Sequence, residues 1–91
     1  LHGYIDISTQ LKTSPYTAPY DCFVRMSNRT TNGVRPYINY LINGKDFNCT
    51  GYTSNADSTI NDIVGLRKGD ILKLNSSYAY EQTGTFTAHI L

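Results

Sequence analysis

Apolar residues recur at every second position in several short stretches of this chain. In residues 4–8, Ile5 and Ile7 share one face and Tyr4, Asp6 and Ser8 the other, the alternation of a half-buried strand. Residues 20–27 repeat it, with Cys22, Val24 and Met26 opposite Phe23, Arg25 and Ser27. Residues 34–42 form the longest candidate: Ile38, Tyr40 and Ile42 share a face, Tyr37, Asn39 and Leu41 the other. Pro36 directs its neighbourhood to a sheet edge or a bulge. Asn43-Gly44 follows, a pair suited to the positive φ angles of a type I′ hairpin, so residues 45–52 read as the return strand. Residues 71–74 and 84–91 complete the set. The last places Phe86, Ala88 and Ile90 inward and Thr85, Thr87, His89 and Leu91 outward.

The connections read as follows. Residues 12–19 carry Pro15 and Pro19 and form an extended link rather than a central strand. Residues 28–33, 53–57 and 75–83 are polar loops, and residues 67–70 are a turn. In residues 58–66 the apolar positions Ile60, Ile63, Val64 and Leu66 are spaced irregularly, which favours a strand bulged near Gly65 over a single helical turn. No stretch sustains a 3.6-residue apolar period. About seven or eight short strands separated by turn residues predict an all-β chain, a compact antiparallel sandwich or small barrel. The 91 residues suffice for one domain, near the lower limit for a single apolar core. Beginning on Leu1, the chain reads as the C-terminal fragment of a longer one.

Only 16% of residues are charged, against about 25% in an average soluble domain. Asn, Thr, Ser and eight Tyr fill the deficit, giving a surface that is polar without being charged. Such a surface suits neutral partners such as sugars, or burial between subunits. A net charge of +1 gives no footprint for nucleic acid. No stretch approaches the roughly 20 apolar residues of a membrane span, so no membrane insertion is expected.

Candidate chemistry is sparse. The carboxylates Asp6, Asp21, Asp46, Asp57, Asp62, Asp70 and Glu81 are scattered, and no motif pairs two across a cleft. Asp21 and Asp70 read as turn formers. Cys22, Cys49, His2 and His89 lack the spacing of a zinc site. The expectation is a non-enzyme with no cofactor and no metal. Whether Cys22 and Cys49 are bridged does not follow from the sequence, although Cys22 lies on an apolar face suited to an inert thiol. Asn28, Asn48 and Asn75 each begin an N-glycosylation sequon.

Several motifs resemble a known family. Lys68-Gly69-Asp70 before an alternating strand, then Gly84-Thr85-Phe86-Thr87-Ala88-His89-Ile90-Leu91, is similar to the last two strands of the C1q/TNF-like jelly roll. Ala18-Pro19-Tyr20-Asp21-Cys22-Phe23-Val24 resembles an earlier strand of that family, with Cys22 where glycine is usual. Residues 37–45 resemble its middle hairpin. The match runs in consistent order over residues 17–91. The short length and the Asn-, Tyr- and Thr-rich loops are most similar to the C-terminal tips of bacteriophage tail fibres. The resemblance implies a jelly roll that assembles as a homotrimer and attaches a virion to a host cell-surface glycan or protein. Its location would be the tail-fibre tip of a virion, or otherwise extracellular.

The resemblance implies a terminal strand near a threefold axis, which together with the mixed faces upstream makes Tyr37, Leu41, Phe86, His89 and Leu91 the candidate trimer interface. Tyrosines give flat apolar area with a polar end at low entropic cost. Tyr52, Tyr78 and Tyr80, with Asn55, Asp57 and Glu81 nearby, are therefore the candidate ligand-binding residues, although packing of loops onto the sandwich explains them as well. Two other readings stay open: a monomeric carbohydrate-binding module of a secreted enzyme, and a C1q-like assembly domain of a cellular protein.

Overall fold

A computed structural model describes residues 4–30, 36–50, 58–75 and 85–91. Alternating burial sets the architecture: in β3 (Cys22–Thr30) every odd-numbered side chain from Phe23 faces out or is half-buried, and every even-numbered one is buried. Around it stand β1 (Ile5–Asp6), α1 (Ser8–Thr13), β2 (Tyr16–Thr17), β4 (Tyr37–Ile42), β5 (Lys45–Thr50), β6 (Ser58–Leu66), β7 (Ile71–Leu74) and β8 (Thr85–Ile90). The strands form two four-stranded antiparallel sheets, ordered β1-β8-β3-β6 and β2-β7-β4-β5. This order, with the chain crossing between the two sheets, is a jelly roll. The expected all-β sandwich is therefore what the chain forms.

The core lies between the sheets. Val24, Met26 and Ile38 are fully enclosed, and Phe86, Ala88 and Ile90 line the inner side of β8 as their alternation requires. β8 is central in the first sheet, paired on one side with β1 and on the other with β3. At the β4–β5 turn, Asn43 and Gly44 take φ angles of 53° and 82°, the left-handed values the hairpin needs. Gly69, at φ 92°, turns the chain from β6 into β7.

Four expectations need correction. Residues 4–8 are not a continuous strand: β1 ends at Asp6, and α1 begins at Ser8. Ile7 and Leu11, one helical turn apart, are both buried, and the Leu11 N–H donates to the Ile7 carbonyl at 2.9 Å. The Ser8 hydroxyl accepts from the Ala88 N–H at 2.8 Å, so a side chain takes over the pairing that β1 abandons. Lys12 and Thr13 also belong to this helix, and the link after it contains the short edge strand β2. Residues 28–30 are not loop but the end of β3, with Asn28 and Thr30 fully buried. Finally, β6 pairs with β3 in unbroken register from Cys22↔Leu66 to Thr30↔Ser58, without a bulge at Gly65.

Polar bonds tie the sheets together. Asn28 Nδ2 on β3 donates to the Tyr37 carbonyl on β4 at 2.8 Å. The Tyr40 hydroxyl on β4 donates to Asp62 Oδ2 on β6 at 2.6 Å. Cys22 is a free, buried thiol whose pKa is raised by burial and, secondarily, by the neighbouring Asp21 carboxylate. The side chain of Cys49, the other cysteine, lies outside the described ones.

Candidate functional site

The outer face of the first sheet is built by strand register. Residues directly opposite in antiparallel strands point to the same side. His89 of β8, Arg25 of β3 and Ile63 of β6 thus form one row, and Thr87, Ser27 and Asn61 the next. Beyond the first row, Phe23 stands opposite Gly65, and the Leu91 N–H donates to the Phe23 carbonyl at 3.0 Å.

This face divides into two parts. Toward one end, Phe23 and Ile63 are 60% and 57% exposed, and Leu91 is half-buried beside them. With Asp21, Gly65 and Arg67, Phe23 and Leu91 border a shallow depression of about 560 Å³. The Phe23 ring lies over Gly65, its Cε1 3.4 Å from the place a side-chain carbon would take. The second part is polar. Tyr4, Arg25, Ser27, Thr87 and His89 line a smaller depression of about 200 Å³. Tyr4 takes a left-handed backbone angle, φ 37°, and its ring meets that of His89 edge-on, 6.2 Å between centroids and 71° between planes. Arg25 Nη2 donates to Asn61 Oδ1 at 3.3 Å. Asp6 sits opposite His89, and the Ser8 side chain and N–H hold its carboxyl below the usual range, assisted by His89.

The second sheet carries a third depression, of about 360 Å³, lined by Asn39, Asp46, Phe47 and Asn75. Asn75 Nδ2 donates to Asp46 Oδ1 at 3.1 Å. Phe47 stacks on Tyr40 with 5.6 Å between centroids and 14° between planes.

The structure does not gather the five expected interface residues. Phe86 is 1% exposed and packs within the core, so it is unavailable to the outer surface. Tyr37 and Leu41 are half-buried on the outer side of the second sheet, and only His89 and Leu91 belong to the first. His89 lines the polar depression rather than the apolar patch. The expected ligand-binding residues Tyr52, Asn55, Asp57, Tyr78, Tyr80 and Glu81 lie outside the described residues. Sequence alternation had already put Arg25 and Ser27 on one face of their strand, and Thr87 and His89 on one face of theirs. What it lacked was the pairing of those two strands.

Among the described residues, no group of three or more His, Cys, Asp or Glu side chains could hold a metal. No helix among them is long and apolar enough to cross a membrane. No family model, curated protein or solved structure matches the chain.

Proposed function

We propose that this chain is a non-catalytic attachment domain that works as a homotrimer, the receptor-binding tip of a phage tail fibre or a similar extracellular adhesin. Its receptor would be a host cell-surface glycan or protein. The observation that carries the reading is the apolar patch of Phe23, Ile63 and Leu91 on the outer face of a jelly-roll sheet. Contiguous exposed apolar groups on a charge-poor surface mark an association surface. In a small domain, covering them with sister chains adds stability that the core alone supplies only thinly. The strand order β1-β8-β3-β6 and β2-β7-β4-β5 agrees with the jelly roll that the sequence resemblance implies.

Sedimentation velocity at micromolar concentration tests the assembly. A trimeric mass is expected, with Phe23→Ser shifting the distribution toward monomer. A wild-type chain that sediments as a monomer, and whose melting temperature is no higher when a trimeric coiled coil holds three copies together, would overturn the trimer. Binding of the fused trimer to intact bacteria, compared with isolated polysaccharides, tests attachment, and no binding to any cell surface would sink it. The depression formed by Asn39, Asp46 and Asn75 favours a second reading, a monomeric sugar-binding module, because amide and carboxylate side chains pair well with neighbouring hydroxyls. Glycan binding by a monomer, with no preference for cells, would select it.

A further inference from the structure

The polar depression on the first sheet holds Arg25, an arginine with no counter-ion among the described residues. Arg25 stands on β3, between β8 and β6, so its neighbours on the outer face follow from the register. They are His89 and Ile63 directly opposite, Thr87, Leu91, Asn61 and Gly65 diagonally, and Phe23 and Ser27 along its own strand. None of them is acidic. The guanidinium donates to Asn61 Oδ1 in a long neutral bond at 3.3 Å, which leaves most of its donor fork open among the described residues. Beside it stand the hydroxyls of Ser27 and Thr87, opposite one another, and the imidazole of His89. All four side chains line one recess, and the ring of Tyr4, 67% exposed, closes a side.

We propose that this recess binds the carboxylate of an acidic sugar. An arginine fork matches a carboxylate bidentately, and charge-assisted bonds of this kind are the strong ones. Ser27 and Thr87 can donate to the same oxygens or exchange bonds with sugar hydroxyls, while Tyr4 offers an apolar ring edge to the sugar's C–H groups. The local charge selects a monoanion. Among the described residues Arg25 is the one permanent cation lining the recess, and Asp6 lies just across His89, so the second charge of a phosphate dianion would be uncompensated. The strands are the central pair of their sheet, so the site is held in place before any ligand arrives. This ligand class goes beyond the attachment reading, and it stands whether the chain is a trimer or not.

The test is a two-dimensional 1H–15N NMR titration of the chain with sodium glucuronate, N-acetylneuraminate, glucose, inorganic phosphate and sodium chloride at matched ionic strength. Saturable shifts at Ser27, Thr87, His89 and the Arg25 Nε–H are expected for the two acidic sugars and for neither glucose nor chloride. Arg25→Gln should weaken acidic-sugar binding at least tenfold while the spectrum stays dispersed. Arg29→Gln, which removes a charge from the same strand and the same face, should change it less than twofold. Unsaturable shifts, equal losses in the two variants, or phosphate binding as tightly as the acidic sugars would each overturn the proposal. Sedimentation of the same samples reports the oligomer separately. Acidic-sugar binding by a monomer therefore keeps this site and removes the trimer, and a trimer without such binding does the reverse.

Discussion

The Tyr40 hydroxyl meets Asp62 Oδ2 at 2.6 Å, a bond from the inner side of one sheet to the edge strand of the other. Asp62 stands opposite the enclosed Met26, so its carboxylate is directed toward the core margin, where a free charge would be costly. Phe47 stacks on the same Tyr40 ring and fixes its plane. Tyr40→Phe keeps the stack and removes the bond. The expected loss is about 1–2 kcal/mol, the value of a hydrogen bond to a partly buried charged group. Urea unfolding checks it: the midpoint falls while the slope stays unchanged.

Asn28 makes the second crossing. Its side chain is fully buried, donates to the Tyr37 carbonyl, and has no donor on its Oδ1 among the described residues. Asn28→Ala opens a void and removes the bond to that carbonyl, at an expected loss of about 2–3 kcal/mol. Asn28→Asp should be worse, because it sets a buried carboxylate against a carbonyl oxygen. The same burial closes the first sequon: expressed through a secretory pathway, the folded protein should carry no glycan on Asn28, and peptide mass mapping would show it.

These crossings mark the boundary of what was legible beforehand. Val24, Met26, Phe86, Ala88 and Ile90 could be assigned to the core because a strand facing one core alternates with period two. Asn43-Gly44 could be read because few residue pairs tolerate two positive φ angles in succession. Asn28 and Thr30 could not, since their polarity argues for a loop, and the burial of Asn28 is offset by a carbonyl on another sheet. The helix escaped because Ile7 and Leu11 form a single one-turn pair, too short for a period. The polar recess escaped for a different reason. Its residue faces were correct, but Arg25 meets His89 only because β8 inserts between β1 and β3, and strand order is not written in any local pattern.

Two glycines separate packing from backbone geometry. Gly65 carries no positive φ, and a methyl there would meet Phe23 Cε1 at 3.4 Å, ordinary contact with the end of a ring that can yield. Gly65→Ala should leave the melting temperature unchanged or raise it, because alanine loses less backbone entropy on entering a strand. Gly69 has open space around it but φ 92°. Gly69→Ala should therefore cost about 1 kcal/mol or more despite the room, since the left-handed region is unfavourable for a residue with a Cβ. Thermal melts of the two variants, read side by side, test both signs.

Acid sensitivity should centre on two turns. Asp70 accepts from Asn43 Nδ2 at 3.0 Å and from the Arg67 N–H at 2.9 Å, which hold its carboxyl below the usual range, and Asp6 is held there by Ser8. A folded-state pKa below the unfolded one gives stability that is complete above the ordinary Asp value of about 3.9 and lost as pH falls through the lowered one. Melting temperature should therefore be steady from pH 7 to pH 5 and decline below pH 4, as read from a melt series. Asp70→Asn should lower the plateau and narrow its difference from the wild type as pH falls. A difference that widened in acid would contradict the assignment.

Cys22 supplies a probe of opening at the start of β3. Its side chain is 7% exposed, and burial with the nearby Asp21 carboxylate raises the thiol's pKa, so the reactive thiolate is scarce and shielded at neutral pH. Brief alkylation at pH 7.5 followed by peptide mapping should find Cys22 unmodified in the native protein and fully modified in urea. Because Cys22 lies opposite Leu66 at the end of the β3–β6 ladder, Leu66→Ala should raise its native labelling rate more than Tyr40→Phe does. Leu66 is itself 3% exposed, and truncating it loosens the wall directly over the thiol's strand pair. Equal labelling in the two variants would mean that Cys22 is reached only by global unfolding, and that the strand end does not open on its own.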